Sequence, residues 1–251
     1  MVDFFIMAIS RVYINENLSD LKPKQKVALS KDAYHHIIRV CRYKLDDKIY
    51  LFDNTKLDQQ FLVKIISCAK NKLEVEVLDL EKTKTQNLKH KINLYISLAR
   101  GNTFEWILQK SVELGVSSIT PMLTNFTQYK INLSDKAKLA DKMDHWRKVM
   151  IRACEQCGLN VLPDLNSVVK FNDIFTKNGE NFVKSCLNLI ATGPLESEKV
   201  ESLAKNEDLD DSLAIDKADK LFGFNKDKIV GAINILVGPE GGFSTDEVIL
   251  S

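Results

Sequence analysis

A glycine-rich turn near the end of the chain is the segment whose residue types could bring a ligand close to the backbone. It spans residues 238–242 (GPEGG), after the apolar run 232–237 and before Ser244-Thr-Asp-Glu247. Glycine has no Cβ and tolerates positive φ, so such a turn lets a nucleotide-like ligand approach main-chain amides. Ser244 and Glu247 have capping-box spacing, which predicts a helix start. The same residues also suit an ordinary tight turn, so a ligand loop and a structural turn both stay open.

Other residues with chemical potential give weaker signals. The glycine turn lacks the Lys-Ser/Thr of a phosphate loop and the spacing of a dinucleotide fingerprint. Cys154 and Cys157 form a lone CxxC without a second ligand pair, so no metal site is predicted. His35-His36 is predicted to be structural, and no Ser/His/Asp pattern or carboxylate pair identifies a general base. Basic residues of the N-terminal region suit phosphate contacts, namely Arg11, Arg39 and Arg42.

Composition bounds the class of protein. The chain has 251 residues, 45% of them hydrophobic, and a formal net charge of +1, as in a globular protein with a full core. No run of about 18 apolar residues and no signal peptide is recognisable, so no membrane partner is predicted. Five scattered cysteines favour free thiols in the cytoplasm. The basic excess lies in residues 1–90, whose net charge of +4 suits a polyanion.

The pattern of apolar runs divides the chain into two regions. Residues 1–80 contain candidate strands and one short helix over 32–40, which predicts a small, mostly β barrel or sandwich. Residues 81–91 are polar and are predicted to be a linker. Residues 92–251 alternate apolar strands with helices, which predicts an α/β domain on a largely parallel sheet. The acidic stretch 195–228 is predicted to be a surface insertion.

Individual elements follow from the same patterns. The predicted strands of the first region are 11–14, 48–52, 61–66 and 73–78. Those of the second are 92–98, 117–120 (ending at Pro121), 186–191 and 232–237. Helices are predicted over 104–114, which Gly115 ends, and over 134–157.

Three further motifs occur with the glycine turn in a fixed order. They are HHIIRVCR at 35–42, KSVELGV at 110–116 followed by Ile119-Thr-Pro121, and ACEQCG at 153–158 followed by Pro163. Together with VGPEGGF at 237–243 and Glu247, they closely resemble the RsmE-type ribosomal RNA small-subunit methyltransferases of the SPOUT superfamily. The resemblance covers nearly the whole chain.

The resemblance implies an α/β trefoil-knot (SPOUT) domain over residues 92–251, preceded by a small PUA-like β-barrel domain that binds RNA. It implies a homodimer that uses S-adenosyl-L-methionine to methylate uridine N3 in 16S ribosomal RNA, within the small ribosomal subunit. The cofactor-binding residues implied by the motifs are Thr192, Gly193, Pro194, Val237, Gly238, Pro239, Glu240, Gly241 and Gly242. The expected RNA-binding residues are Arg11, Arg39, Arg42, Arg100 and Arg152.

Two alternatives to this enzyme stay open. The family continues beyond the glycine turn with a helix and a segment that complete the knot and the cofactor pocket, whereas this sequence stops at Ser251. One alternative is therefore an RNA-binding protein whose catalysis is lost through C-terminal truncation. The other is a nucleotide-binding enzyme that uses the glycine turn for phosphate, which the missing Lys-Ser/Thr pair disfavours.

Overall fold

The chain forms two compact units. The computed structural model describes residues 9–55, 58–69, 72–83, 88, 90–129, 131–175, 187–191 and 232–250. The first unit comprises residues 1–87 and 148–162, and the second comprises 88–147 and 163–251. The first unit therefore includes a segment from the middle of the chain, which no local sequence pattern predicts.

The first unit is built on a five-stranded sheet. Its strands are β1 (Arg11–Tyr13), β2 (Lys26–Leu29), β3 (Lys48–Phe52), β4 (Gln59–Ala69) and β5 (Lys72–Lys82). They lie in the order β1-β3-β4-β5-β2, and all neighbours are antiparallel except β1 and β3. The four predicted strands are present, although β4 and β5 extend well beyond their apolar centres because each pairs along its length with the other. The short β2 was not predicted.

The predicted helix over 32–40 is present but changes type along its length. It begins as α1 (Lys31–Tyr34), with the Ser30 hydroxyl accepting a hydrogen bond from Ala33 N, and continues as a π-helical segment (His35–Val40). The wider turn is visible in the hydrogen bond from Cys41 N to His36 O. Ile37 faces the core of the unit and is fully buried, together with inward-facing residues of the strands such as Ile49 and Val75.

Residues 148–162 join the first unit through polar side chains. Glu155 Oε1 accepts hydrogen bonds from Tyr13 N (3.0 Å) and from His36 Nε2 (3.1 Å). The Asn160 side-chain amide donates to Gln59 O and Thr83 Oγ1, both at 2.8 Å. Because these partners come from distant parts of the sequence, only the folded chain brings them together.

The ion pair between His36 and Glu155 predicts a pH-dependent stability. Hydrogen bonds to the Cys41 thiol and to the Glu155 carboxylate raise the pKa of His36 from 6.5 to about 10. A raised pKa means that the pair stabilises the fold fully below about pH 6.5 and that this contribution is lost as pH rises toward 10. We expect the urea midpoint of the unchanged protein to fall more between pH 6.5 and 10 than that of His36→Gln. The exposed neighbour variant His35→Gln is the control, and it should keep the steep profile.

The second unit is built on a parallel sheet. Its strands are β6 (Lys91–Ser97), β7 (Ser118–Leu123), β8 (Asp164–Leu165), β9 (Val169–Lys170), β10 (Leu187–Ala191) and β11 (Ala232–Val237). The order is β10-β11-β6-β7-β8, and β9 also pairs with β7. All described pairs are parallel, as predicted. The helices are α2 (Thr103–Glu113), α3 (Lys136–Cys157), α4 (Phe171–Ile174) and α5 (Thr245–Leu250), and residues 148–157 of α3 belong to the first unit.

Strand β7 does not end at Pro121, so that part of the prediction is wrong. The strand continues to Leu123. Proline lacks the N–H that an interior strand position normally donates. Here the register places Ile119 opposite Leu165 of β8 and Met122 opposite Val169 of β9, so Pro121 lies where one pairing partner gives way to the next. The missing donor therefore costs the sheet little.

A row of polar side chains crosses four of the parallel strands. Asn234 Nδ2 donates to Asn188 Oδ1 (2.8 Å), Asn93 Nδ2 donates to Asn234 Oδ1 (2.9 Å), and Ser118 Oγ donates to Asn93 Oδ1 (2.8 Å). Asn234 is fully buried, so a shifted register would leave its amide unpaired at a cost of about 1–3 kcal/mol. The row therefore specifies the register of β10, β11, β6 and β7.

Two predicted regions differ from the structure or lie outside it. The polar segment 81–91 contains the end of β5 at Lys82 and the start of β6 at Lys91, so it is not wholly a linker. The acidic stretch 195–228 lies outside the described residues. Within the described ranges, no helix combines the length and apolar character needed to cross a membrane.

Candidate functional site

The parallel sheet of the second unit presents its functional loops at one edge. Because β6, β7, β10 and β11 are all parallel, the segments that follow Ser97, Leu123 and Val237 leave the sheet on the same side. We call this side the carboxyl edge. Ligands of open α/β sheets bind outside the carboxyl ends of the strands. The predicted glycine turn follows β11 at this edge. Because β11 pairs with β6, the turn lies next to the loop that follows β6.

The glycines of the turn are required by close packing. A Cβ on Gly238 would lie 3.0 Å from Phe243 Cε2 and 3.2 Å from the carbonyl carbon and oxygen of Gly242. Gly242 has a φ of 72° and its N–H donates to Pro239 O at 2.8 Å. The turn therefore folds back on itself, and a side chain at Gly238 would crowd Phe243 and Gly242. This is the arrangement that lets a ligand contact main-chain groups.

The turn is anchored beneath by Phe243. This ring is 2% exposed and packs with Phe171, at a centroid distance of 5.2 Å. Tyr95 of β6 and Leu236 of β11 belong to the same buried cluster. Because the side chain that follows the glycines is buried in the core, the turn is fixed to the sheet.

The predicted capping box is present, and it also binds a second loop. Ser244 N donates to Glu247 Oε2 (2.9 Å), and Glu247 N approaches Ser244 Oγ (3.4 Å). Glu247 Oε1 accepts a hydrogen bond from Asn125 N (2.7 Å), and Asn125 Nδ2 donates to Ser244 Oγ (2.8 Å). Glu247 is only 2% exposed. The helix cap thus ties the glycine turn to the loop that follows β7.

The loop after β7 is tied in turn to β6. Thr127 Oγ1 accepts a hydrogen bond from Thr124 N and pairs with Ser97 Oγ, both at 2.8 Å. Ser97 is the last residue of β6 and is 2% exposed. Three segments of the carboxyl edge are therefore connected by side-chain hydrogen bonds. Sequence reasoning missed Asn125 and Thr127, whose one signal was their position just after a predicted strand.

Comparison with known families decides what kind of domain carries this site. Residues 86–250 match the family model of the RNA methyltransferase domain, and residues 29–78 match that of the RNA methyltransferase PUA domain. The chain belongs to the RNA methyltransferase family. The resemblance that the sequence motifs indicated is thereby confirmed, and the parallel sheet with its glycine turn is an RNA methyltransferase domain.

Several known proteins are similar to this RNA methyltransferase. Ribosomal RNA small subunit methyltransferase E of Buchnera aphidicola subsp. Acyrthosiphon pisum is 30% identical over 162 residues, which are 62% of this chain and 58% of that protein. The protein of that name from Buchnera aphidicola subsp. Schizaphis graminum is 26% identical over 96% of this chain and 82% of its own length. A crystal structure of ribosomal RNA small subunit methyltransferase E from Neisseria gonorrhoeae, bound to S-adenosyl methionine, is 26% identical and superposes with a TM-score of 0.68 over 96% of this chain and 84% of that one.

The predicted cofactor residues of the methyltransferase domain fall into two groups. Val237 ends β11, and Gly238, Pro239, Glu240, Gly241 and Gly242 form the turn at the carboxyl edge. Thr192, Gly193 and Pro194 lie outside the described residues. Whether any of them contacts a cofactor stays a prediction.

Four of the five predicted RNA-binding arginines are exposed. Arg100 follows β6 in the methyltransferase domain, and Arg152 lies on α3. Arg39 and Arg42 lie at the end of the π-helical segment, where Arg42 adopts a left-handed φ of 64°. Exposure leaves these guanidinium groups available to phosphate.

The fifth arginine, Arg11, is engaged inside the first unit. Its guanidinium donates to Gln60 Oε1 (3.0 Å), Cys154 O (3.2 Å), Leu159 O (3.2 Å) and Asn160 Oδ1, and it lies 4.5 Å from the centroid of the Phe52 ring. An arginine has five N–H donors. Most donors of Arg11 are therefore used to hold residues 154–160 in place, which opposes a role in phosphate binding.

Cys154 of the CxxC pair likewise has a structural role. Cys154 is fully buried and its thiol donates to Val161 O at 3.3 Å. Burial raises the pKa of Cys154 to about 12. A thiol with so high a pKa is a poor nucleophile and a poor metal ligand.

Removing Glu247 is expected to loosen two loops at once. Glu247→Ala leaves the amides of Asn125 and Ser244 without their carboxylate acceptor, a loss of about 1–2 kcal/mol by analogy with helix caps. Hydrogen exchange followed by mass spectrometry should show peptides that cover 122–129 and 240–250 exchanging roughly 5- to 30-fold faster. The neighbouring Asp246→Ala removes an exposed carboxylate from the same helical turn and should leave both peptides unchanged. Equal exchange in the two variants would contradict the role of Glu247.

Proposed function

We propose that this chain is an S-adenosyl-L-methionine-dependent methyltransferase that modifies N3 of a uridine in 16S ribosomal RNA of the small ribosomal subunit, in the cytoplasm. The observation that carries the proposal is the glycine turn of an RNA methyltransferase domain, fixed at the carboxyl edge of its sheet, where a Cβ at Gly238 would be crowded. The similar protein from Neisseria gonorrhoeae was solved with S-adenosyl methionine.

The chemistry of the glycine turn fits this cofactor. Main-chain N–H and C=O groups of glycines, which carry no side chain of their own, can pair with the polar edge of an adenine or with an amino-acid moiety. The residues proposed to hold the cofactor are those of the turn, from Val237 to Gly242, with the segment 192–194 as a second wall. S-adenosyl-L-methionine supplies an electrophilic methyl group on a sulfonium centre.

The residues of the chain must prepare the uridine for this methyl group. N3 of uridine carries a proton, so it becomes a good nucleophile only when that proton leaves or when a positive charge stabilises the developing anion. Arg100 follows β6 at the carboxyl edge and is exposed, so its guanidinium is a candidate for this charge or for a phosphate contact. The glycine turn and the Asn125 loop would orient the reacting groups.

We propose that the first unit supplies the remaining RNA contacts. Arg39, Arg42 and Arg152 are exposed and would bind phosphates, which positions the RNA without reading its sequence. Such contacts make RNA affinity fall with added salt. We also propose a homodimer and a trefoil knot in the second unit, on the basis of the resemblance to RsmE-type proteins. Among the described strands, β11 lies between β10 and β6, an order that is compatible with a threaded segment.

A methyl-transfer assay tests the proposal. Small ribosomal subunits that lack the modification would be incubated with the protein and radiolabelled S-adenosyl-L-methionine, and the 16S RNA would be digested to nucleosides. We expect label in 3-methyluridine. Label in another nucleoside would overturn the N3 assignment, and RNA binding without any label or cofactor binding would favour the alternative of an RNA-binding protein without catalysis.

A further inference from the structure

One large apolar side chain is exposed on the loops of the carboxyl edge. Phe126, in the loop after β7, has 48% of its surface exposed to solvent. The other exposed large apolar residues of the described chain lie elsewhere, for example Trp106 on α2 and Leu114 at its end. Singly exposed apolar side chains are common on protein surfaces, so it is the position of Phe126 at the candidate site that distinguishes it.

The backbone on both sides of Phe126 is held by hydrogen bonds. Asn125 is bonded through its N–H to Glu247 and through its side chain to Ser244. Thr127 is bonded through its hydroxyl to Ser97 and to Thr124 N. The ring is therefore presented by a rigid loop, so little conformational entropy is lost when a ligand packs on it.

Phe126 also lies against the glycine turn. A Cβ on Gly241 would be 3.3 Å from Phe126 Cβ and 3.8 Å from Phe126 Cγ. The absence of a side chain at Gly241 thus leaves room for Phe126 beside the turn, and an added Cβ would require Phe126 to shift by a few tenths of an ångström. The exposed ring of Phe126 therefore lies next to the turn at Gly241.

The strand order indicates which ligand this surface meets. In the sheet, β10 and β7 lie on opposite sides of β11, and β6 lies between β11 and β7. The turn proposed to hold the cofactor follows β11, whereas the Phe126 loop follows β7, on the side of the turn away from β10. We therefore expect the Phe126 ring to contact a planar group of a second ligand that lies beside the cofactor.

We propose that Phe126 is a stacking platform for a nucleobase of the RNA substrate, placed beside the glycine turn. This inference rests on the proposed function, because it takes the ligand of this edge to be RNA. Stacking on an aromatic ring is how proteins commonly hold unpaired RNA bases, and a base must be unstacked before its N3 can be reached. Each such contact is worth about 1–3 kcal/mol, which corresponds to roughly 5- to 150-fold in affinity.

Equilibrium binding of the full chain separates this role from others. The probes are a fluorescent oligouridylate, followed by anisotropy, and S-adenosyl-L-methionine, followed by calorimetry. Phe126→Leu keeps an apolar side chain beside Gly241 but removes the aromatic face. We expect it to weaken oligouridylate binding about tenfold and to leave cofactor affinity within about twofold. Phe126→Tyr should restore RNA affinity, and Trp106→Leu, which removes an exposed aromatic residue from α2, should leave both affinities unchanged.

Other results would overturn the inference. Weakened cofactor binding with unchanged RNA binding would assign Phe126 to the cofactor, and a change in oligomeric mass alone would assign it to an interface between copies of the chain. Unchanged values for both ligands would leave the ring without a binding role. Failure of the proposed function has a different result. In that case the unchanged protein would transfer no methyl group, whereas Phe126→Leu would still bind RNA more weakly than the unchanged protein.

Discussion

Replacing Gly238 by alanine is expected to lower the affinity for S-adenosyl-L-methionine by roughly 5- to 150-fold. The added Cβ would meet Phe243 Cε2 at 3.0 Å and the Gly242 carbonyl group at 3.2 Å. Because Phe243 is buried in the core of the second unit, the glycine turn must move instead. Such overpacking costs about 1–3 kcal/mol, and the turn of the variant relaxes to avoid it. Cofactor binding must then restore the original conformation of the turn, and affinity falls by that free energy. Calorimetric titration measures this loss directly.

A matched glycine substitution tests whether the effect is local. Gly115 ends α2 with a φ of 78° and precedes β7, so it lies at the opposite edge of the sheet. Gly115→Ala introduces strain of about 1–2 kcal/mol in the left-handed region and should lower stability without changing cofactor affinity. If the two variants bind the cofactor equally well, the turn at Gly238 is not part of its site.

Replacing Arg11 by methionine is expected to destabilise the first unit by about 3 kcal/mol. Methionine keeps much of the side-chain volume over the Phe52 ring but removes donors to four acceptors, among them the carbonyls of Cys154 and Leu159. Each acceptor left without a partner costs about 1–3 kcal/mol, and the cost falls because the site is only half-buried. Urea denaturation should show the loss. Alkylation of the buried Cys154, read by peptide mass spectrometry, should become faster.

An exposed arginine of the same unit provides the comparison. Arg39→Met removes the same charge from the surface at the end of the π-helical segment. We expect it to leave the urea midpoint and the alkylation rate of Cys154 unchanged and to weaken RNA binding if Arg39 contacts phosphate. The reverse pattern, with Arg11→Met stable but deficient in RNA binding, would return Arg11 to the RNA-binding set.

Local sequence patterns predicted most helices and strands, because apolar runs and capping residues act on the backbone of neighbouring residues. The apolar run 232–237 and the capping residues Ser244 and Glu247 predicted β11 and the start of α5, and both are present. The predicted end of β7 at Pro121 is wrong. A proline fits inside this strand because it lies between the residues that pair with β8 and those that pair with β9, and both partner strands come after residue 163. The π-helical turn within 35–40 also has no local signature.

The sequence by itself determined the family, the parallel character of the second sheet and the residues of the glycine turn. These follow from motif order and hydrophobic periodicity, which are properties of neighbouring residues. Only the tertiary structure decided that Arg11 holds residues 154–160, that Glu247 binds the Asn125 loop, and that Phe126 stands beside Gly241. In each case the partners are more than 100 residues apart in the chain, and chain folding alone brings such groups within hydrogen-bond or van der Waals distance.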